Sequence, residues 1–305
     1  MILSLDELKK IRTLTVIALF SDDDLMDTLV LKGGNALELA YGFNSRSSVD
    51  IDLSMRQDFS EIGLIDNEQI QLKLQTVLTR TFTEFNYQVF DVHLKVKPKK
   101  AIPTTEDFWG GYEVNFKIIE INKYDEYKGN PIKLAAKSIP VNSEKKNIKI
   151  DFGRFEYCGD TTTVDLEGFT VPIYSPTLII LEKIRAICQQ MGEYLEYIGK
   201  DEQFGRPRPR DFYDIYTILE HPDVTEINFE DLETLRHLKE CFKAKKVPLD
   251  LISKIKDTYE FHNQDEYKLR DSVMNKRQFK GFDFYFSYVI NLLTEKKLIE
   301  LTDVA

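Results

Sequence analysis

The segments Leu31-Lys32-Gly33-Gly34 and Arg46-Ser47-Ser48-Val49-Asp50-Ile51-Asp52-Leu53 decide the fold that this sequence adopts. The apolar run 28–32 predicts a short strand, and the residues after the two glycines have the pattern of a helix beginning. Glycines between a strand and a helix let a ligand approach the backbone closely, and the N–H groups at a helix start attract phosphate. The first segment therefore predicts a phosphate-binding turn.

The second segment predicts a strand over 49–55 that carries Asp50 and Asp52. Side chains alternate along a strand, so both carboxylates are expected on one face while Val49, Ile51 and Leu53 face the core. Neighbouring carboxylates repel each other unless a cation lies between them, and Mg²⁺ prefers such oxygen ligands together with substrate phosphates. An isolated Asp-x-Asp is more often a solvated pair, but the glycine pair beside it favours a metal-bound phosphate site.

In these segments the chain resembles the DNA polymerase β-like nucleotidyltransferase superfamily. More narrowly, it resembles the AbiEii/AbiGii-type toxin family, which includes the MenT nucleotidyltransferase toxins. The residues that carry the resemblance are Lys32, Gly33, Gly34, Arg46, Ser48, Asp50 and Asp52. The spacer between Gly34 and Asp50 is somewhat longer than in the commonest form of the motif. The resemblance implies that Asp50 and Asp52 bind Mg²⁺ or Mn²⁺, and that the other five residues contact the nucleotide.

The pattern along the chain predicts an α+β fold in two parts. Residues 1–175 mix predicted strands and helices, and residues 176–305 are almost wholly helical. We therefore expect a polymerase-β-like nucleotidyltransferase domain, with a mixed sheet and flanking helices, followed by a helical bundle domain. Ser4 and Glu7 predict a capping box at the first helix, and Ser175-Pro176 predicts the start of the first bundle helix.

A third carboxylate is expected from a later strand. The predicted strand 147–155 places Asp151 and Lys149 on the face opposite Ile148, Ile150 and Phe152. The resembling families carry their third aspartate on a central strand at this point in the order, which favours Asp151 as a metal ligand or a catalytic base. Glu120 is the alternative.

Two segments of the helical part resemble later motifs of the same families. Lys183 lies in an otherwise apolar helix, where a lysine either extends to solvent or meets an anion. In Arg206-Pro-Arg-Pro-Arg210-Asp211, the resemblance assigns Arg210 to the nucleotide and Asp211 to the catalytic cleft, while Asp214 is expected to be structural. We expect Lys183 to balance phosphate charge.

Composition limits the class of protein. The chain has 305 residues, of which 42% are hydrophobic, and no apolar run long enough to span a bilayer. Three scattered cysteines favour a reducing cytoplasm, so we expect a cytoplasmic, soluble protein with no membrane partner. The net charge of −10 argues against unspecific wrapping of nucleic acid but allows a local basic groove. The candidate basic patches are Lys95–Lys100, Lys145–Lys149, Arg206–Arg210 and Lys243–Lys246.

These features lead to one functional hypothesis and two competitors. The hypothesis is a Mg²⁺-dependent enzyme that transfers a nucleoside monophosphate from an NTP to a hydroxyl acceptor. The resemblance implies a toxin of a toxin–antitoxin or abortive-infection system, with tRNA 3′ ends as acceptor and a cognate antitoxin as a possible partner. The competitors are an antibiotic-type nucleotidyltransferase with a small-molecule acceptor, and a non-catalytic partner-binding protein on the same fold.

Overall fold

The fold was analysed in a computed structural model, which describes residues 4–43, 50–100, 103–141, 146–200, 205–224 and 227–302. Within these ranges the chain forms a mixed sheet, helices on the sheet, and a helical second half. The predicted α+β class is confirmed, and the strands all precede residue 175. The predicted domain boundary between residues 175 and 176 stays a prediction.

The described strands form one seven-stranded sheet in the order β3-β4-β5-β2-β1-β7-β6. Their bounds are β1 Leu29–Lys32, β2 Ile51–Met55, β3 Tyr87–Lys97, β4 Gly111–Glu120, β5 Ile148–Gly153, β6 Thr161–Leu166 and β7 Phe169–Tyr174. β2 pairs in parallel with β5, and β1 pairs in parallel with β7, while the other neighbours are antiparallel. β6 and β7 join through Glu167 and Gly168, both with positive φ, as a tight hairpin requires.

The helices of the first half cover the sheet and set the entry to the site. They are α1 Leu5–Phe20, α2 Asp23–Thr28, α3 Gly33–Asn35, α4 Asn67–Glu84, α5 Ile121–Tyr127 and α6 Pro131–Lys137. The predicted capping box is confirmed, because Ser4 and Glu7 bond reciprocally at the start of α1. α3 continues directly into one π-helical turn, Ala36–Ala40, a geometry that is frequent at functional sites.

α4 packs against α1 and against β3. It ends at Glu84, because Asn86 adopts a positive φ and Tyr87 begins β3. The alternation predicted for β2 is present, since Ile51 and Leu53 are fully buried while Asp52 is only half-buried.

The second half is built around α7, which packs on α9 and α10. The helices are α7 Pro176–Cys188, α8 Gly192–Tyr197, α9 Pro209–Leu219, α10 Leu232–Lys243, α11 Tyr259–Asn263, α12 Glu266–Ser272 and α13 Phe282–Glu295. Ser175 caps α7 with Pro176 in its first turn, as predicted. Met191 has an extended backbone and separates α7 from α8. No helix among the described residues is long and apolar enough to cross a membrane.

Candidate active site

One row of charged side chains crosses the sheet on the face that carries the predicted site. Lys32 on β1 stands opposite Asp52 on β2, and Asp52 stands opposite Asp151 on β5. The row continues to Glu113 on β4 and Lys95 on β3. Residues paired across neighbouring strands share a face, so the pairing register alone brings Asp52 and Asp151 together.

The glycine turn touches the row at Asp52. Gly33 has φ +65°, and a Cβ atom placed on it would lie 3.1 Å from the Asp52 Oδ2 atom. Only glycine adopts this conformation and leaves this space without strain. Asn35, which is fully buried in the next turn, donates its side-chain amide to the Asp50 carbonyl oxygen. The turn therefore fixes the backbone of Asp50 and the space around the Asp52 carboxylate.

Lysines of the same face neutralise the carboxylates. The Lys149 Nζ atom lies 2.8 Å from Asp50 Oδ2 and 2.7 Å from Asp151 Oδ2, and Lys97 Nζ lies 2.5 Å from Asp151 Oδ1. Burial raises the pKa of Asp52 to about 6; the Lys32 charge opposes this rise, and the neighbouring Asp151 and Asp50 charges add to it. Burial and the two neighbouring carboxylates thus disfavour the ionised form of Asp52, while Asp50 and Asp151 share the Lys149 ammonium.

Lys32 connects the sheet to α7. Its ammonium pairs with Glu156, which follows β5, and lies 3.2 Å from Glu182 on α7. Burial alone would lower the pKa of Lys32, but the charges of Glu156 and Glu182 outweigh it and the pKa is raised. Glu156 also accepts a hydrogen bond from Ser54 at 2.7 Å and lies 3.6 Å from the buried Lys245 ammonium.

Lys183 is held in a buried ion pair between α7 and α9. Its Nζ atom lies 3.1 Å from Asp211 Oδ1 and 2.6 Å from Asp214 Oδ2, and Asp214 is fully buried. Asp211 also pairs with the Arg208 guanidinium. Burial would raise the pKa of Asp211, but Arg208 and Lys183 together hold it well below its usual range. Lys183 therefore meets carboxylates inside the protein rather than extending to solvent.

The row of charged side chains on the sheet and the ion pairs between α7 and α9 face each other across one cleft. This cleft has two compartments, which meet at Asp52. The first, of about 310 Å³, lies between the glycine turn, α7 and the start of α9. Its lining includes Lys32, Gly33, Gly34, Asp52, Lys183, Arg208 and Asp211. The second, of about 490 Å³, lies over β4 and β5, and its lining includes Asp52, Lys97, Trp109, Tyr112, Lys149 and Asp151. Asp52 is thus accessible from both compartments.

The donor atoms around Asp52 are carboxylate oxygens, which are the ligands of a hard divalent cation. Within the described ranges, no three His, Cys, Asp or Glu side chains surround a common metal position. The Lys149 ammonium lies where Asp50 and Asp151 converge, so it acts as the counter-cation of these two carboxylates.

The structure brings together most of the residues that the sequence singled out. Lys32, Gly33, Gly34, Asp52, Lys183 and Asp211 line the first compartment, and Asp151 lines the second. Asp50 lies beside them through Lys149. Arg46 and Ser48 fall outside the residues that the structure describes.

The geometry does not place Arg210 in the cleft. Its side chain is exposed and donates to the Lys268 carbonyl oxygen at 3.5 Å. Arg208 reaches the cleft instead, because α9 begins at Pro209 and its first turn directs Arg210 away from Asp211. Glu120 is also distant from the row, since it ends β4 opposite Tyr87 and pairs with Lys123 at 2.9 Å.

Several cleft residues were not singled out as site residues from the sequence. They are Lys97, Trp109, Lys149, Glu156, Glu182, Arg185, Arg208 and Lys245. A signal existed for Lys149, which shares the Asp151 face, and for Arg208, which belongs to the proline-spaced arginines. Lys245 belongs to the basic patch Lys243–Lys246, but Glu156 carries no local signal, and only the folded chain brings these two residues together.

Comparison with known proteins matches the chain to one family. The sequence profile described as "Nucleotidyl transferase AbiEii toxin, Type IV TA system" matches residues 16–287. The chain is similar to the solved structure of JHP933 from Helicobacter pylori, with 19% identity, a TM-score of 0.44, and coverage of 98% of this chain and 95% of that chain. It is also similar to an antigenic nucleotidyltransferase-like protein from Paracoccidioides brasiliensis, with 19% identity, a TM-score of 0.35, and coverage of 80% and 94%. No curated protein sequence matches the chain.

Proposed function

Because the chain belongs to the family of AbiEii nucleotidyltransferase toxins, we propose that it transfers a nucleoside monophosphate from an NTP to the hydroxyl group of an acceptor. The observation that carries the proposal is the pairing of Asp52 with Asp151 across β2 and β5, beside the glycine turn. A carboxylate pair next to a phosphate-binding turn suits displacement at phosphorus, where positioning and charge stabilisation supply most of the catalysis.

Mg²⁺ or Mn²⁺ fits the donor set of this face. Asp50, Asp52 and Asp151 offer only oxygen ligands, and the Lys149 ammonium lies between two of them. When bound, a divalent ion would neutralise phosphate charge and polarise the reacting oxygens. The Lys149 ammonium would then leave its position between Asp50 and Asp151.

The first compartment suits the NTP. Gly33 and Gly34 allow close approach of phosphate to the backbone, and Lys32, Lys183 and Arg208 supply positive charge around it. Asp211 holds Lys183 and Arg208 in place through its ion pairs. The triphosphate would therefore extend from Asp52 toward α7 and α9.

The second compartment suits the acceptor. Asp151 lines it and would accept the proton of the attacking hydroxyl group. The acceptor oxygen forms a bond to the α-phosphorus, the bond from that phosphorus to the oxygen bridging to the β-phosphate breaks, and pyrophosphate leaves. The proton goes to Asp151, and pyrophosphate departs from the first compartment.

The acceptor that we propose is the 3′ end of a tRNA, and the biological role is that of a toxin controlled by a cognate antitoxin. Support for the toxin role comes from the family description, which names a type IV toxin–antitoxin system. The tRNA acceptor rests on the resemblance to the MenT toxins. The lining of the second compartment, with Lys97, Lys149 and Trp109, is compatible with a polyanionic acceptor.

The test is a transfer assay with Mg²⁺, total tRNA and each α-labelled NTP separately. We expect label on tRNA with the wild type and none with Asp52→Asn, a substitution that keeps the side-chain volume. Asp125→Asn, which changes an exposed carboxylate on α5, is the matched control and should retain activity. Label on small-molecule hydroxyl acceptors alone would favour the antibiotic-type reaction, and no label with any acceptor would favour a non-catalytic role.

A further inference from the structure

A second depression lies on the helical half, beside the cleft. Its volume is about 610 Å³, and it runs between the end of α8, the last turns of α10 and the chain that follows α10. Its lining includes Tyr197, Lys239, Lys243, Lys246, Pro248 and Leu249. We call it the lysine groove.

The charge of the lysine groove is opposite to that of the whole chain. Three lysines line it, and none of the described lining residues is acidic, although the net charge of the chain is −10. Lys239 makes no ion pair within the described part of the chain, and Lys243 has only Glu240 at 3.7 Å. Their side chains are exposed, so their charge is available to a ligand. Lys246 pairs with Asp107, so Lys239 and Lys243 are the two lysines that offer charge to a ligand. A local concentration of exposed lysines is the footprint of a polyanion site.

The lysine groove also carries an aromatic surface. The Tyr197 side chain is 63% exposed at the end of α8 and lies among the lining residues. An exposed tyrosine beside lysines supplies a face on which a base stacks while the ammonium groups meet phosphates. This combination distinguishes a single-stranded nucleic acid from an inorganic anion.

Two consecutive residues line the cleft and the groove, respectively. Lys245 is buried and lines both compartments around Asp52, while Lys246 lines the lysine groove. Lys246 Nζ lies 2.5 Å from Asp107 Oδ2 and 4.5 Å from the centre of the Phe108 ring. The next residue, Trp109, again lines the cleft. The segment 107–109 therefore contacts Lys246 of the groove at one end and lines the cleft at the other.

We infer that the lysine groove binds the single-stranded RNA segment that precedes the acceptor hydroxyl group. This inference rests on the proposed function for the identity of the acceptor. Lys239 and Lys243 contact the phosphates, Tyr197 stacks on a base, and the terminal nucleotide passes Trp109 to reach Asp151. The cleft performs the transfer, and the groove selects acceptors that carry an extended single-stranded end.

The first test measures binding in the absence of NTP. The probe is a fluorescently labelled single-stranded RNA of about ten nucleotides, and its anisotropy is measured at several salt concentrations. It is titrated with the wild type and with the double variant Lys239→Gln/Lys243→Gln. The double variant should bind at least about tenfold more weakly, and the slope of log K against log salt should fall by about 0.7 for each lost phosphate contact. Tyr197→Ala should weaken binding by about tenfold with an unchanged salt slope.

The matched control is Lys123→Gln/Lys128→Gln, which removes two lysines that pair weakly with acidic residues near the far end of β4. It should bind RNA like the wild type. Equal affinity of both double variants, or no RNA binding by the wild type, would overturn the inference. A single-stranded DNA of the same sequence shows whether the groove distinguishes the sugar; tight binding of DNA but not of RNA would also overturn it.

The second test separates the groove from the proposed transfer. In the labelled transfer assay the double variant Lys239→Gln/Lys243→Gln, called the groove variant, should show a raised KM for RNA. Its kcat and its KM for NTP should be unchanged. RNA binding that depends on the groove without any transfer by the wild type would refute the proposed function and leave the groove standing. Transfer with an unchanged KM for RNA in the groove variant would refute the inference and leave the proposed function standing.

Discussion

The carboxylates of the cleft meet ammonium groups of the chain itself. Asp50 and Asp151 share Lys149, and Lys183 is enclosed by Asp211 and Asp214. Buried or half-buried charges are stable only when they are paired, so each of these residues depends on its partners for both stability and position. This dependence makes single substitutions informative.

The third carboxylate can be assigned by two isosteric substitutions. Asp151→Asn should lower kcat for transfer by about 10²- to 10⁴-fold, because the acceptor hydroxyl loses its base. Glu120→Gln should leave kcat unchanged, because Glu120 lies at the far end of β4 beside Lys123. Steady-state transfer kinetics decide between them. Loss of activity in Glu120→Gln with activity retained in Asp151→Asn would reverse the assignment.

Asp214 should act on stability through Lys183. It is fully buried, and Asp214→Asn removes the nearer partner of the Lys183 ammonium, at 2.6 Å. Breaking one side of a buried ion pair costs about 3–5 kcal/mol, so the urea midpoint should fall markedly. Asp125→Asn, in an exposed pair with Lys128, should change the free energy of unfolding by less than about 1 kcal/mol. Similar urea midpoints for the two variants would contradict the structural role of Asp214.

Among the elements, the turn from β1 into α3 has the strictest geometry. Gly33 combines a positive φ with close approach to Asp52, and the π-helical turn that follows is anchored by a buried ion pair of 2.6 Å between Arg12 on α1 and Glu38. The turn is therefore fixed from both sides, by the sheet through Asp52 and by α1 through Glu38.

Gly33→Ala tests this geometry against a matched glycine. Gly63 has φ +83°, with no atom within 4 Å of an added Cβ, whereas the Cβ at Gly33 meets Asp52 Oδ2 at 3.1 Å. Both substitutions place alanine in the left-handed region, at a cost of about 1–2 kcal/mol each. Only Gly33→Ala displaces the Asp52 carboxylate, so we expect it to abolish transfer while Gly63→Ala remains active. Equal activity of the two folded variants would show that the turn does not position Asp52.

At the scale of the whole molecule, the helical half completes the cleft that the sheet begins. α7 supplies Glu182 and Lys183, and the start of α9 supplies Arg208 and Asp211. Behind them His262 on α11 accepts the Arg208 backbone N–H through Nδ1 at 3.0 Å and packs on Phe212. His262 is fully buried, so its protonation is coupled to global unfolding.

The stability of the chain should therefore depend on pH through His262. Burial lowers its pKa from 6.5 to about 4; the Asp211 charge opposes this shift, and the Arg208 charge adds to it. The unfolded chain binds the proton near pH 6.5 and the folded chain only near pH 4, so the free energy of unfolding falls as pH decreases through this interval. The contribution is at most about 3 kcal/mol.

Urea unfolding at several pH values, with His262→Gln as the variant, measures this contribution. The stability difference between wild type and variant should shrink as the pH falls from neutral toward 4. A stability difference that stays constant over this pH interval would refute the assigned burial effect.

The sequence by itself determined the α+β class, the glycine turn before α3, the capping box of α1, the start of α7, and the alternation of β2 and β5. These features depend on turn chemistry and on the two-residue period of a strand, which act over a few residues. The shared face of Asp50 and Asp52, and that of Lys149 and Asp151, could be predicted for the same reason.

Only the tertiary structure decided which charges meet. The register of β2 on β5 places Asp52 opposite Asp151. The packing of α7 on α9 encloses Lys183 between two aspartates. The start of α9 at Pro209 brings Arg208 rather than Arg210 to the cleft. Glu156 and Lys245 meet across a large separation in sequence. Such contacts depend on how whole elements pack, and no short-range pattern in a sequence records that packing.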